Sequence, residues 1–196
     1  MYDAYSVVDV RNRDVVDVGA FVGDTAVYFI KRGAHKVLAI EPHPRAFNEL
    51  IRNIRINGLQ GRVVPINAAL GSRQGFIYVP EDLDVGNIMS TYFGYEYARY
   101  VPGYVKVRVM ALGELVKEYE FSPDVLKMNC EGCEYDVILN DYGHVRLFNE
   151  LIFEYHRWIT GIPVDAILSI LSRDYYCEPI GLATEDYGYV HCNKTT

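Results

Sequence analysis

The chain has 196 residues, of which 50% are hydrophobic, and a formal net charge of −7 with a pI near 5.2. This length and composition suffice for a full hydrophobic core, so we predict a single domain over residues 1–196. The acidic balance disfavours a general nucleic-acid binder, because binding to phosphates needs a basic face. No apolar run reaches the roughly 18 residues that span a bilayer. Residues 1–4 do not resemble a secretion signal, so we expect a cytoplasmic protein without a membrane partner.

The first predicted element is an N-terminal arm over residues 1–13, whose alternating stretch Val7-Val8-Asp9-Val10 is typical of a short strand. Apolar periodicity then predicts helices at 24–32 and 45–57 and strands at about 14–19, 36–41, 63–66 and 75–79. Strands and helices therefore alternate from the start of the chain. Such alternation is typical of βαβ units and a parallel sheet.

The loop after the first strand carries the clearest functional pattern. The strand contains Asp17, and Gly19 and Gly23 follow before the first helix. Glycine lets the backbone turn sharply and approach a ligand closely, because it has no Cβ. Glu41 ends the next strand about 20 residues on, where a carboxylate accepts hydrogen bonds from ribose hydroxyls. The pattern predicts a nucleoside-binding loop, and an ordinary βα turn is the alternative.

The spacing within this loop narrows the choice of nucleoside. It reads Asp17-x-Gly19-x-x-x-Gly23, whereas a dinucleotide loop reads G-x-G-x-x-G and a phosphate loop ends in Gly-Lys-Ser/Thr. Asp24 places negative charge where a phosphate would lie. Acidic residues on both sides of the glycines favour a cationic ligand. S-adenosylmethionine, which has a sulfonium and an ammonium group, therefore ranks ahead of NAD.

Residues 80–104 are rich in tyrosine and glycine and show no clear period. Tyrosine offers a flat apolar face and a hydroxyl, which suits a substrate lid. The alternative is a surface excursion whose tyrosines pack on the body. Beyond it we predict strands at 105–110, 124–129 and 151–154, helices at 112–119, 134–140 and 163–172, and an antiparallel pair at 175–182 and 187–192. The whole pattern predicts an open, mostly parallel sheet with helices on both faces and ligands at the carboxyl ends of its strands.

Four cysteines, at 130, 133, 177 and 192, leave several alternatives open. We expect buried or half-buried free thiols, with disulfides in a thermophile's cytoplasm as the main alternative. A structural zinc site would need a second C-x-x-C pair. The glutamates at 131 and 134 disfavour a redox-active thiolate.

Six segments resemble, in the same order, the FkbM-type family of S-adenosylmethionine-dependent methyltransferases. They are Asp17–Thr25, Ile40–Pro42, Asn53–Asn57, Asn67–Gly71, Lys127–Glu134 and Phe153–His156. The resemblance implies an α/β Rossmann-like class I methyltransferase fold, with a mostly parallel seven-stranded sheet and a C-terminal antiparallel hairpin. It also implies action on hydroxyl groups of sugars, glycans or natural products.

Carried over position by position, the resemblance implies a set of residues that bind S-adenosylmethionine and its product S-adenosylhomocysteine. They are Asp17, Gly19, Ala20, Gly23, Asp24, Glu41, Pro42, Asn67, Ala68 and Asn129. Asp17, Gly19 and Gly23 would face the methionine part of the cofactor. Glu41 would hold the ribose, and Asn67 and Ala68 would flank the adenine. The segment from Lys127 to Glu134 would shape the substrate side.

The chain departs from the family pattern at Asn129, where an aspartate is usual. An amide takes no proton near neutrality, so the base for a hydroxyl acceptor must come from elsewhere. Glu131, Glu154 and His156 are our candidates, since each lies at a predicted strand tip. A structural alternative is that Glu131 caps a helix dipole and His156 is an ordinary polar residue. The same residues with Asn129 could instead hold Mg²⁺.

These patterns predict a methyltransferase that acts on a sugar, glycan or small-molecule hydroxyl. The alternatives are a non-catalytic S-adenosylmethionine-binding module and, less favoured, a nucleotide-dependent oxidoreductase or an RNA methyltransferase. The partner would be a small-molecule or glycan acceptor rather than nucleic acid. A homodimer is an open alternative.

Overall fold

The computed structural model describes residues 4–81 and 102–195. The lid predicted at 80–104 falls mostly on residues outside these ranges. The strands are β1 Asp14–Val18, β2 Lys36–Ile40, β3 Val63–Ile66, β4 Ala69–Gly71, β5 Gly75–Pro80, β6 Tyr104–Ala111, β7 Val125–Met128, β8 Glu150–His156, β9 Tyr175–Ile180 and β10 Tyr187–Lys194. The helices are α1 Asp24–Lys31, α2 Pro44–Ile56, α3 Leu112–Glu118, α4 Cys133–Asn140, α5 Tyr142–Val145, α6 Arg157–Thr160 and α7 Val164–Leu171, preceded by a 3₁₀ helix at Ala4–Val7.

Seven strands form one sheet in the order β3-β2-β1-β7-β8-β10-β9. The first five run parallel, and β10 runs antiparallel to both of its neighbours. This confirms the predicted α/β fold with its mostly parallel seven-stranded sheet and C-terminal hairpin. The strand order reverses between β1 and β7, which is where open α/β sheets bind ligands.

The central strands are apolar on both faces because helices cover both faces. Val16 and Val18 of β1 pack in one core cluster, which also contains apolar residues of α3, α4 and α7. Val15 points the other way, into a cluster with residues of α1 and α2. A strand buried on both sides needs a continuous apolar run, and Asp17, which is fully buried, interrupts the run in β1. Its burial therefore requires a partner.

A second sheet of three strands, in the order β4-β6-β5, lies beside the first. The sequence predicts β5 and β6 but not that they form a separate sheet. It also misses β4, α5 and α6, each of four residues or fewer. Such short elements carry too few apolar positions to show a period. In the described part of the chain, no helix combines the length and apolarity that crossing a membrane requires.

The N-terminal arm differs from the strand considered for residues 7–10. Ala4–Val7 form a 3₁₀ helix, and the following residues pair with no strand within the described ranges. The side chains nevertheless alternate between buried and exposed, since Val8 and Val10 are each 1% exposed and Val7 is 45% exposed. An alternating pattern reports which side chains are buried and not whether the backbone joins a sheet.

The expectation of free thiols is wrong for all four cysteines. Cys177 and Cys192 are directly opposite each other in the β9–β10 register, with Cα atoms 4.0 Å apart, and they form a disulfide. Cys130 and Cys133 form a second disulfide across the turn between β7 and α4. The cross-strand pairing depends on the exact register of the hairpin, which the sequence pattern did not provide.

Candidate functional site

A cavity of about 320 Å³ opens at the carboxyl ends of β1, β2, β3 and β7. Of the residues predicted to bind the cofactor, it is lined by Gly19, Asp24, Glu41, Pro42, Ala68 and Asn129. Of the candidate bases, Glu131 lines the cavity, whereas Glu154 and His156 lie behind its wall. The sheet thus brings residues from four separate segments to one site.

Gly19 lies where two loops meet at the mouth of the cavity. Its φ of +73° is one that side chains rarely adopt, and a Cβ there would lie 1.8 Å from the backbone oxygen of Asn129. The N–H groups of Gly19 and Ala20 both donate to the carbonyl of Ile40. Glycine is therefore required by the packing of loop on loop. Ala20 is fully buried in the core beneath.

Gly23 is the N-cap residue of α1, with φ +86°, and a Cβ there would lie 2.4 Å from the side chain of Leu50. It does not line the cavity. Its role in this structure is to let α1 pack closely against α2. The two glycines of the loop thus serve the packing of the loop and helix that surround the cavity.

Asp17 is fully buried and also does not line the cavity. Its carboxylate lies 2.8 Å from Nζ of Lys127 and accepts a hydrogen bond of 2.6 Å from the Thr25 hydroxyl. Nζ of Lys127 also donates to the carbonyls of Val18 and Gly19. Burial by itself would lower the pKa of Lys127, but Asp17 more than offsets this, so the pKa lies above its ordinary value. This buried ion pair joins β1, α1 and β7 directly under the cavity floor.

Glu41 places its carboxylate in the cavity wall while it is only 6% exposed. One oxygen accepts from the N–H of Phe21 at 2.9 Å and the other from the N–H of His43 at 2.8 Å. Burial raises the pKa of Glu41 to about 7, against the opposing effect of these two hydrogen bonds. Phe21 has φ +48°, so its backbone is strained into the position from which it holds the carboxylate.

Two side chains fix the turn that follows Glu41. Nδ2 of Asn67 donates to the carbonyls of Glu41 and Pro42, both at 2.9 Å. Asn67 itself does not line the cavity. His43 does line it, with Nδ1 accepting from the N–H of Arg45 and Nε2 lying 2.8 Å from the carbonyl of Pro80. These contacts assign the proton to Nε2. Asn67 therefore orients the Glu41 turn rather than facing the cavity.

A cluster of carboxylates surrounds His156 at the other side of the cavity. Nδ1 of His156 lies 3.0 Å from Glu134, and Nε2 lies 3.6 Å from Glu131 and 3.9 Å from Glu154. Burial would lower the pKa of His156, but the three carboxylates outweigh it and raise the pKa. Burial has the opposite effect on the carboxyl group of Glu131: it raises the pKa, and the positive charge of His156 opposes that shift. Each group thus favours the charged form of the other, although the pKa of Glu131 remains above its ordinary value.

Glu131 differs from the other members of this cluster in two ways. It lines the cavity, and its Oε2 has no hydrogen-bond partner among the described residues. It also has φ +54°, in the left-handed region that a side chain adopts only at a cost. Strained backbone and an unpartnered carboxylate oxygen are both typical of functional positions.

Asn129 connects the cavity to the rest of this cluster. Its Nδ2 donates to Glu154 at 2.7 Å, so the amide presents a donor to that carboxylate. Among the His, Cys, Asp and Glu residues of the described ranges, three possible metal-ligand atoms converge to within 4.8 Å of one another only at Cys130, Cys133 and Glu134, where the two sulfurs are joined in a disulfide. The residues considered for Mg²⁺ form no comparable set there.

Several residues that line the cavity were not predicted from the sequence. They include Tyr5, Phe21, His43 and Tyr189. The rings of Tyr5 and Tyr189 pack edge to face with centroids 5.8 Å apart, so opposite ends of the chain meet at the site. Burial raises the pKa of Tyr189, and hydrogen bonds to Glu154 and Tyr5 act in the same direction. No sequence pattern near residue 5 or 189 indicates this contact.

Comparison of the sequence with known protein families gives a match over most of the chain. The sequence profile of the methyltransferase FkbM domain matches residues 17–190. The chain belongs to the FkbM methyltransferase family. The match runs from the end of β1 to the middle of β10 and so contains nearly the whole cavity. No curated protein sequence matches this FkbM family member significantly.

Solved structures share the fold of this FkbM family member. Methyltransferase FkbM from Methylobacillus flagellatus KT has a TM-score of 0.67 at 16% identity, over 98% of this chain and 46% of that one. M. capricolum TrmK, in complex with S-adenosyl-homocysteine, has a TM-score of 0.56 at 14% identity, over 94% and 64%. Streptococcus pneumoniae Sp1610, in complex with S-adenosyl-L-methionine, has a TM-score of 0.56 at 12% identity, over 96% and 69%. The chain thus spans less than half the length of the M. flagellatus protein.

Proposed function

We propose that the protein is an S-adenosylmethionine-dependent methyltransferase that acts on a hydroxyl group of a sugar, a glycan or another small molecule. The observation that carries this proposal is the cavity itself, whose lining includes the carboxyl residues Glu41 and Glu131. Membership of the FkbM family supports it, as do the S-adenosyl ligands of two proteins that share the fold.

The residues around Glu41 fit the nucleoside half of that cofactor. A carboxylate has about four lone-pair sites. Two are taken by the N–H groups of Phe21 and His43, so others stay available to ribose hydroxyls. Ile40, Ala68 and Leu70 give the neighbouring wall apolar surface suited to a flat base. The acidic Asp24 at the start of α1 suits a cationic group better than a phosphate.

The cofactor, when bound, supplies a methyl group on a positively charged sulfur that leaves as a neutral thioether. The protein must then align the acceptor hydroxyl and take its proton. Glu131 is our catalytic base, because it lines the cavity and its Oε2 has no hydrogen-bond partner among the described residues. His156 is a positioning residue, since it does not line the cavity and its positive charge favours the ionised form of Glu131. Lys127 and Asp17 hold the floor of the site rigid.

Transfer of a labelled methyl group from S-adenosylmethionine to a panel of sugars and small hydroxyl compounds tests the proposal. Glu131→Gln should lower kcat by about 10²- to 10⁴-fold, the usual contribution of a general base. The affinity for S-adenosylhomocysteine, measured by calorimetry, should be unchanged in that variant. Glu41→Ala should instead lose that affinity. Glu178→Gln, on the exposed face of β9, is the matched control and should change neither quantity.

Three results would contradict the proposal in different ways. Absence of binding to either S-adenosyl compound would refute the cofactor assignment. Binding without methyl transfer would favour the non-catalytic module, the reading that Asn129 at the usual aspartate position keeps open. Methylation of RNA in place of sugars would retain the enzyme class and refute the acceptor.

A further inference from the structure

The Cys130–Cys133 disulfide closes the loop that carries the proposed base. The two half-cystines flank Glu131 and Gly132 between β7 and α4, and both line the cavity. They are 8% and 6% exposed, so the cavity is their route to solvent. The other disulfide, Cys177–Cys192, joins β9 to β10 and does not line the cavity.

The two residues inside this ring both have left-handed backbone, with φ +54° at Glu131 and +110° at Gly132. Glycine adopts such values freely, whereas a glutamate does so at a cost. The N–H of Gly132 donates to Oε2 of Glu134 at 3.0 Å. The bond between the sulfurs joins the two ends of the turn and thereby helps hold Glu131 in its strained position. Without that bond, Glu131 is free to return to an ordinary conformation.

The surroundings of the two sulfurs are unequal. Sγ of Cys130 lies 3.3 Å from Oε2 of Glu134, so a negative charge on this sulfur would be repelled. Cys133 is the first residue of α4, where the helix dipole stabilises an anion. In thiol–disulfide exchange, the better leaving group is the sulfur that better carries negative charge. An incoming thiolate should therefore attack Cys130 and displace Cys133.

We propose that Cys130–Cys133 is a reversible thiol–disulfide exchange site, and that its oxidised form holds the Glu131 loop in the geometry that the cavity requires. The reductant is a dithiol. Its thiolate attacks Sγ of Cys130, the bond between the sulfurs breaks, and Cys133 leaves as a thiolate that takes a proton. The second thiol of the reductant then displaces Cys130 as a thiol, and the reductant departs as a cyclic disulfide. Two electrons and two protons pass to the protein.

Reduction changes the contacts of the catalytic cluster. A disulfide sulfur has no hydrogen, whereas the Cys130 thiol can donate to Glu134, which lies within reach. Oε2 of Glu134 already accepts from the N–H of Gly132, so the new donor competes for that oxygen of the carboxylate whose Oε1 holds Nδ1 of His156. Release of the ring also lets Glu131 move from its position 3.6 Å from His156. The reduced form should therefore bind ligands in the cavity more weakly.

The experiment compares the oxidised protein with protein reduced by dithiothreitol under native conditions. Alkylation and mass spectrometry identify which cysteines are reduced, and hydrogen exchange follows the amide of Gly132. We expect this amide to exchange about 20-fold faster after reduction, the change that loop-closure entropy gives for so small a ring. Affinity for S-adenosylhomocysteine should fall in parallel, and oxidation should restore both. The exchange measurement uses no ligand, so it stands or fails separately from the proposed function.

Two double variants separate this disulfide from the other one. In Cys130→Ser/Cys133→Ser, the amide hydrogen of Gly132 should exchange rapidly, and dithiol should not change its exchange rate. Cys177→Ala/Cys192→Ala should respond to dithiol as the native protein does. The proposal is refuted if alkylation shows Cys130 and Cys133 reduced while the exchange of Gly132 stays unchanged. It is equally refuted if native protein resists reduction at this pair.

Discussion

Glu41 is at once a structural acceptor and a wall of the cavity, and these two roles have opposite requirements. Its hydrogen bonds from Phe21 and His43 favour the ionised carboxylate, whereas burial favours the protonated form. Burial prevails and raises the pKa to about 7. Near neutrality the site therefore contains a carboxyl group that a ligand can ionise by offering further donors. Function here is obtained at the expense of stability.

This balance predicts how stability depends on pH. Because the folded pKa lies above the ordinary value of 4.5, Glu41 stabilises the fold fully below pH 4.5, and this contribution is lost as the pH rises through about 7. The loss is at most about 3 kcal/mol at 1.36 kcal/mol per pKa unit. Glu41→Gln should remove it, so the variant should gain stability relative to the native protein between pH 5 and pH 8. Chemical denaturation at both pH values measures this.

Glu49→Gln provides the control for that comparison, because the Glu49 side chain on α2 is 45% exposed and lies 3.5 Å from its ion-pair partner Arg52. The free energy of unfolding of Glu49→Gln should follow that of the native protein at both pH values. A constant difference between Glu41→Gln and native protein across this range would contradict the prediction.

Glu131 and His156 form a second pair whose protonation is coupled, and we expect this coupling to appear in the pH dependence of kcat. Burial raises the pKa of Glu131 above 4.5, and His156 counteracts this. A base acts when deprotonated, so kcat should rise with pH through a midpoint above 4.5. His156→Gln removes the opposing positive charge and should move that midpoint to higher pH. A role for His156 in packing alone would lower kcat without moving the midpoint, and the pH profile of kcat distinguishes the two.

At the scale of elements, the site depends on contact between the loop after β1 and the loop after β7. Gly19 touches the backbone of Asn129, whereas Gly58 has a similar φ of +65° and open space around the position of a Cβ. Gly58→Ala should therefore cost only the left-handed backbone, about 1–2 kcal/mol. Gly19→Ala adds a backbone clash and should cost more than about 4 kcal/mol, a size that indicates a specific packing fault.

Denaturant unfolding of both glycine variants measures the difference. Equal losses would mean that the loop around Gly19 adjusts freely, and the contact with Asn129 would then not fix the cavity. A Gly19→Ala protein that remains folded should also show faster amide exchange in residues 129–132, because the clash is with that loop.

The sequence predicted the long elements well and the short ones poorly, for a physical reason. The strand at 63–66 has the predicted bounds, and the other long elements differ by a few residues at their ends, because buried strands and amphipathic helices have strong periods. The 3₁₀ helix at Ala4–Val7 lacks such a period, since its residues are held by tertiary contacts. The disulfides were missed likewise, because pairing of Cys177 with Cys192 is a property of register.

At the scale of the molecule, the cavity collects side chains from residue 5 to residue 189. Gly19, Glu41 and Glu131 could be found from the sequence, because they follow strand ends that the fold brings together. Tyr5 and Tyr189 could not, because their meeting depends on how the N-terminal segment crosses the sheet. The same segment buries Val8 and Val10 in the core that supports α1. The N-terminal residues are thus part of the site.

Two neighbouring valines in this segment provide the last test. Val8 is 1% exposed and packs in the core, whereas Val7 is 45% exposed. Val8→Ala should lower the free energy of unfolding by about 2 kcal/mol, as for other buried methyl groups. Val7→Ala should change it by less than about 0.5 kcal/mol. Since Tyr5 lies three residues before Val8, loosening the segment should also weaken S-adenosylhomocysteine binding in Val8→Ala alone. Equal effects of the two substitutions on stability and binding would show that the segment does not support the cavity.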